Sequence, residues 1–146
     1  MLDINLWIAR LRTQLDNTVV KTIGGAANIA AVQSDLKAAP GIFILPGAQT
    51  PGPNELANGV SQLVVVSIGV LFAVRNVADA KGAAGHNALS PLVVSVKDLF
   101  LGWQPVDALR PVEYAGGELV DYSELVLWWQ EIYTTEIFYR HIGNNV

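Results

Sequence analysis

Residues 61–75 form the most hydrophobic run in the sequence, and this run constrains the fold more than any other. A helix that crosses a bilayer needs about 20 apolar residues, and any window of that length over the run includes Gln62, Arg75 or both. The run contains five valines and one isoleucine, whose β-branched side chains favour a pleated strand over a helix. We therefore predict a strand here and exclude a membrane span.

The two faces of this strand differ in polarity. Because side chains alternate along a strand, one face carries only apolar residues, while the other mixes apolar, small and charged residues. The apolar face consists of Val64, Val66, Ile68, Val70, Phe72 and Val74, and the mixed face of Leu63, Val65, Ser67, Gly69, Leu71, Ala73 and Arg75. The pattern predicts an interior strand, covered by helices on its apolar side and partly covered on the other.

The composition suggests a subunit of an assembly. The chain has 146 residues, which suits one domain. Hydrophobic residues make up 51% of it and charged residues only 15%, whereas a monomer normally covers itself with more polar surface. The net charge is −4 and the nine Lys and Arg are scattered, so the basic patch of a sequence-specific nucleic-acid binder is missing.

The cysteine content and the N-terminus bear on localisation. The chain has no cysteine, so it has neither a disulfide framework nor a thiolate metal site. The N-terminus carries Asp3 and has no basic segment before an apolar run, so it does not resemble a secretory signal. We expect synthesis in the cytoplasm.

The whole chain is interpreted as one α+β domain, residues 1–146. We predict helices over residues 3–15, 26–37 and 90–101, and strands over residues 19–23, 42–45, 61–75, 112–122 and 125–139. Ser90 and Pro91 suit the N-cap and first position of the third helix, and Gly116 and Gly117 suggest a bulge in the fourth strand. The expected architecture is a mainly antiparallel sheet of four or five strands, with about three helices packed mainly on one face.

Two long loops and a tail separate or follow these elements. Residues 46–59 hold three prolines and three glycines, which predicts an ordered loop or a flexible arm and not a helix or strand. Loops of this length in compact domains are often functional. Residues 76–87 form a second loop of small residues, and we expect the tail after about residue 140 to be flexible.

The sequence offers little that is chemically reactive. Neither glycine cluster, at residues 24–25 or 82–85, has the spacing of a nucleotide-binding loop. His86 and His141 lack the partners of a metal or acid–base site. Glu118, Asp121 and Glu124 suit a solvated hairpin turn better than a cation site, and no serine has a hydrolase setting. We predict no catalytic residue, no cofactor and no metal.

Two adjacent tryptophans lie in the last predicted strand. Trp128 and Trp129 point to opposite faces of the sheet, so one core cannot hold both. The alternation with Leu127 and Tyr133 favours Trp129 as the core residue. Trp128 is then expected beneath a helix or at an interface, where large aromatic side chains are enriched.

Several short segments together resemble a known family. These are Ala73-Val74-Arg75-Asn76, the small-residue loop through Gly85, Leu101-Gly102-Trp103-Gln104-Pro105, Glu113-Tyr114-Ala115-Gly116-Gly117 and Leu127-Trp128-Trp129-Gln130. In order and spacing over most of the chain they resemble the tail terminator proteins of long-tailed bacteriophages. The segments mark turns and core, so the resemblance carries over the fold and the role but no catalytic residue.

This resemblance implies a structural virion protein at the junction of tail and neck, assembled in the host cytoplasm. Such a subunit assembles, usually as a hexamer, into a ring that caps the tail tube. The ring ends tube polymerisation and offers a docking surface to the head connector. The implied partners are copies of the chain, the tail tube protein and the head–tail connector, with DNA passing through the lumen.

The candidate interface residues come from the loops and the spare aromatic residue. We predict contacts with a neighbour or the tube first from Gln49, Thr50, Asn54 and Glu55, and second from Arg75 and Lys81, with Trp128 as a further candidate. Another head-completion or stopper ring, a small ligand-binding α+β domain and a dimeric module remain alternative interpretations.

Overall fold

The computed structural model describes residues 1–75 and 83–142. Within them lie the helices α1 (Ile4–Gln14), α2 (Ile29–Asp35) and α3 (Ala83–Phe100). The strands are β1 (Thr22–Gly25), β2 (Gly41–Pro51), β3 (Gly59–Arg75), β4 (Glu113–Ser123) and β5 (Val126–Ile142). Asp3 caps α1 by accepting a hydrogen bond from the Asn5 amide, and Asn28 caps α2 in the same way.

All five strands form one sheet in the order β1-β2-β3-β5-β4. The β1–β2 pair is parallel and the other three pairs are antiparallel. The predicted α+β fold with a mainly antiparallel sheet is therefore confirmed, and β3 occupies its centre. All six residues on its apolar face are buried, each between 0% and 3% exposed.

The helices lie on both faces of the sheet. α1 and α3 cover the apolar face of β3, where the rings of Trp7, Phe100 and Trp103 stack or meet edge to face. α2 lies on the opposite face, where Val32 joins a second cluster with Phe43, Leu45, Leu71, Ala73, Val126 and Trp128. The predicted packing on one face thus applies to two helices, because part of the mixed face of β3 is apolar enough to bury the third.

Two strands are longer than the sequence suggested. β2 continues to Pro51, because after a bulge Gln49, Thr50 and Pro51 pair with β3, so only residues 52–58 remain of the loop predicted over residues 46–59. β5 continues to Ile142 along β3. Residues 140–142 are therefore strand, and the rest of the predicted flexible tail lies outside the described residues.

Other boundaries were also wrong. β1 begins at Thr22, and Val19 and Val20 instead lie in a turn in which their amides donate to the Asp16 carbonyl. α3 begins at Ala83, so Ser90 is not its N-cap and Pro91 lies inside it. A proline there costs one helical hydrogen bond, which packing of Leu92, Val96 and Phe100 in the core offsets. The bulge predicted in the fourth strand is confirmed, since the register shifts between Tyr114 and Gly116.

Candidate interaction surfaces

Several apolar side chains of the sheet are exposed where α2 no longer covers it. The ends of β2, β3 and β5 extend past the second core cluster as a three-stranded extension, which we call the arm. On its uncovered face Phe138, Arg140 and Ile142 alternate along β5, opposite Leu63, Ser61 and Gly59 of β3. We define the arm surface as Val65, Phe138, Arg140 and Ile142; its three apolar members are 39%, 51% and 62% exposed.

The predicted interface residues Gln49 and Thr50 lie in the arm and not in a loop. Gln49 is exposed, and its side-chain oxygen accepts a hydrogen bond from the Tyr139 hydroxyl at 3.3 Å. The same hydroxyl accepts one from the Met1 ammonium at 2.8 Å. Thr50 is exposed opposite Val65, beside the arm surface.

Asn54 organises the short loop between β2 and β3. Its amide nitrogen donates to the carbonyls of Leu56 and Gly59, at 3.0 and 2.9 Å. Its side-chain oxygen accepts from the amides of Leu56 and Ser61, at 3.1 and 2.8 Å. The Glu55 amide donates to the Ser61 carbonyl at 3.0 Å while the residue stays exposed. Of the two alternatives, the ordered loop is therefore the one observed.

The remaining predicted interface residues do not form one site. Arg75 is exposed at the end of β3, at the far end of this strand from the arm. Lys81 lies outside the described residues. Trp128 is only 3% exposed and belongs to the second core cluster, whereas Trp129 is only partly buried. Trp128 thus lies beneath a helix, one of the two positions expected for it, but it is more deeply buried than Trp129, the expected core residue, because α2 gives the Trp128 face a core of its own.

The turn between β4 and β5 carries two non-glycine residues in the left-handed region. Glu124 has φ 53° and Leu125 has φ 62°, positions that hairpin turns usually give to Asn and Gly. Both are exposed, as are Glu118 and Leu119 in β4. Asp121 is partly buried and accepts hydrogen bonds from Gln33 and Ser123. We call Leu119, Glu124 and Leu125 the tip surface. Glu118 points to the opposite face of β4 from Leu119, because it pairs with Gln130 whereas Leu119 pairs with Trp129.

Sequence reasoning missed a buried carboxylate between α3 and the sheet. Glu131 is 1% exposed and forms an ion pair with Lys97, whose Nζ lies 3.2 Å from Oε1. Its Oε2 accepts hydrogen bonds from the Tyr114 hydroxyl at 2.9 Å and the Trp129 indole at 3.1 Å. Lys97 also lies 3.9 Å above the Tyr114 ring. The signal in the sequence was an acidic residue at a position where alternation with Trp129 and Tyr133 predicts burial.

The electrostatics of this cluster favour neutral phenols. Burial, and then the hydrogen bond to Glu131, raise the pKa of Tyr114. Burial and the charge of Glu131 raise the pKa of Tyr133 further. Because Lys97 already neutralises Glu131 and two donors hold its other oxygen, the arrangement fixes α3 against β4 and β5. It is a structural cluster.

Other chemistry is scarce over residues 1–75 and 83–142. No group of three or more His, Cys, Asp or Glu residues there could hold a metal ion. His141 is exposed, and the side chain of His86 is not described. None of the helices in this part of the chain is both long and apolar enough to cross a membrane.

An α+β subunit with an exposed apolar arm and a strained, exposed tip is of the class that acts through contacts with other proteins. The family model for the phage tail terminator protein matches residues 1–144. The chain therefore belongs to the phage tail terminator family, which confirms the resemblance seen in the sequence, and it is a structural component of the bacteriophage tail. Among curated proteins, none is significantly similar to it.

Proposed function

We propose that the protein forms a ring, usually a hexamer, that caps the tail tube, ends its polymerisation and provides the surface to which the head connector docks. The observation that supports this most is the family match over residues 1–144. The low content of charged residues, 15%, fits a subunit whose surface is largely covered in an assembly.

The ring is proposed to contact the tube or a neighbour through the arm and the loop after β2. Gln49, Thr50 and Glu55 are exposed there, and Asn54 holds the loop in one shape. A preformed loop loses less conformational entropy on binding than a flexible one. Arg75, and Lys81 just after it in the chain, are proposed as polar contacts at the other end of β3.

DNA would pass through the lumen of this ring. The net charge of −4 supports a passage that does not hold phosphates, since adhesion to DNA rests on clustered Lys and Arg. Assembly would take place in the host cytoplasm.

Electron microscopy of tail tubes polymerised with and without the purified protein tests the proposal. We expect a ring at one end of each tube and an end to further growth. Binding to capsids and not to tubes would instead indicate a stopper ring and overturn the assignment.

Two variants at exposed residues test whether Arg75 takes part in capping. Arg75→Glu should leave the subunit folded and reduce tube capping, because Arg75 lies at a proposed contact. Lys37→Glu makes the same charge change at an exposed residue after α2 and should cap tubes normally. Equal capping by both variants would remove Arg75 from the interface.

A further inference from the structure

The arm surface presents a positive charge among apolar side chains. Arg140 lies between Phe138 and Ile142 on the uncovered face, and over residues 1–75 and 83–142 its side chain has neither a salt bridge nor a hydrogen bond. His141 follows it but points to the other face of the sheet, since it pairs with Val60. An exposed apolar patch around an unpaired cation favours an anionic, partly apolar partner.

The tip surface has the complementary character. Leu119 and Leu125 are 55% and 40% exposed. Glu124 is exposed, and within the described part of the chain its side chain has no ion pair. Glu124 and Leu125 both adopt the left-handed backbone that is unfavourable for residues other than glycine, and strain of this kind concentrates at functional sites.

The two surfaces cannot meet within one molecule. Leu125 precedes β5 and Arg140 lies near its end. Fifteen residues of extended strand separate them by about 50 Å. Any pairing must therefore join two copies of the chain.

We propose that the tip surface of one subunit docks onto the arm surface of the next. The contact would place Glu124 near Arg140, and Leu119 and Leu125 against Phe138 and Ile142. Because the two surfaces differ, the contact is heterologous, and repeating it generates a closed ring or an open helix. This inference rests on the proposed ring and adds the surfaces through which its subunits meet.

Cysteine crosslinking tests the contact directly, because the natural chain has no cysteine. Leu125→Cys and Phe138→Cys proteins are mixed, alone and with tail tubes, and oxidised. We expect a disulfide-linked pair of the two variants, and a ladder of higher oligomers from the double variant. The matched control is Leu125→Cys with Val94→Cys, an apolar residue of α3 that is 55% exposed and should give no product.

Charge reversal is the second part of the experiment. Arg140→Glu alone and Glu124→Arg alone should each lower the crosslinking yield about tenfold, as expected for replacing an attraction by a repulsion. Mixing the two reversed proteins, each carrying its cysteine, should restore the yield.

The outcomes separate the two proposals. Product no greater than in the Val94→Cys control, alone and on tubes, would overturn the docking inference, as would crosslinking of Phe138→Cys to the tube protein instead. Tube capping without subunit crosslinks leaves the proposed function standing and rejects this contact. A crosslinked ladder from a protein that caps no tubes supports the contact and rejects the function.

Discussion

A Cβ atom on Gly117 would overlap the carboxylate of Glu131, its register partner across the β4–β5 ladder. The same atom would lie 2.9 Å from the Tyr114 hydroxyl and 3.1 Å from the Trp129 ring. Gly117 therefore makes room for the buried carboxylate and for both side chains that donate to it.

Gly117→Ala should lower the free energy of unfolding by about 1–3 kcal/mol. The carboxylate would have to move, which breaks hydrogen bonds to a buried charge. Urea denaturation measures the loss. Gly24→Ala is the matched control, because a Cβ atom there meets nothing within 4 Å. An equal loss in both variants would mean that strand propensity, and not the carboxylate, sets the cost.

Tyr133→Phe should stabilise the subunit by about 1 kcal/mol at neutral pH. Among the described residues the Tyr133 hydroxyl is buried without a hydrogen-bond partner, and removing such a group recovers its desolvation cost. Urea denaturation of both proteins at pH 7 measures the gain. A less stable variant would show that the hydroxyl has a partner.

The alkaline stability of the protein should depend on the same residue. Burial raises the pKa of Tyr133 above its ordinary 10.0, so this phenol ionises near pH 10 only in the unfolded chain. Ionisation of this phenol therefore leaves the free energy of unfolding unchanged below pH 10. Above pH 10 the free energy of unfolding should fall by about 1.4 kcal/mol per pH unit. Urea denaturation at pH 10 and 11 should show a shallower fall in Tyr133→Phe; an unchanged slope would contradict this.

Val70→Asp should unfold the subunit, whereas Val65→Asp should leave it folded. Val70 is 0% exposed on the face of β3 that α1 and α3 cover, and a buried unpaired carboxylate is very costly. Val65 is 39% exposed on the other face. Circular dichroism and thermal melting compare them, and a folded Val70→Asp protein would mean that the faces are assigned the wrong way round.

The double variant Glu124→Asn, Leu125→Gly should stabilise the isolated subunit by about 1–2 kcal/mol and weaken its assembly. Asn-Gly suits the left-handed turn, but the change removes two side chains of the tip surface. Thermal melting and sedimentation measure the two effects. A less stable variant would show that the turn is not strained, and unimpaired assembly would remove these side chains from the contact.

The central strand and its faces could be predicted because they follow from local alternation. The residues from Val64 to Val74 on the apolar face are all buried, as the period of two requires. The start of α3 could not be predicted in the same way. Pro91 is a good first residue of a helix, and that local preference was overridden by a helix that had already begun at Ala83.

The buried cluster and the two tryptophans depended on contacts between distant parts of the chain. Sequence reasoning missed the buried Glu131: alternation with Trp129 and Tyr133 could have indicated its burial, but its partner Lys97 lies on α3. Trp128 and Trp129 point to opposite faces as expected, yet which face buries more depends on where α2 packs. No local pattern in the sequence carries that information.

The ladder between β3 and β5 gives the subunit a mechanical axis. All 17 residues of each strand are paired in one unbroken register, from Gly59 with Ile142 to Arg75 with Val126. Antiparallel hydrogen bonds lie perpendicular to the strands, so tension applied between the tip and the arm acts on them in shear and is shared among many bonds at once. The subunit would therefore resist extension along this direction. A force that peels β4 from the sheet edge would instead break its hydrogen bonds one after another.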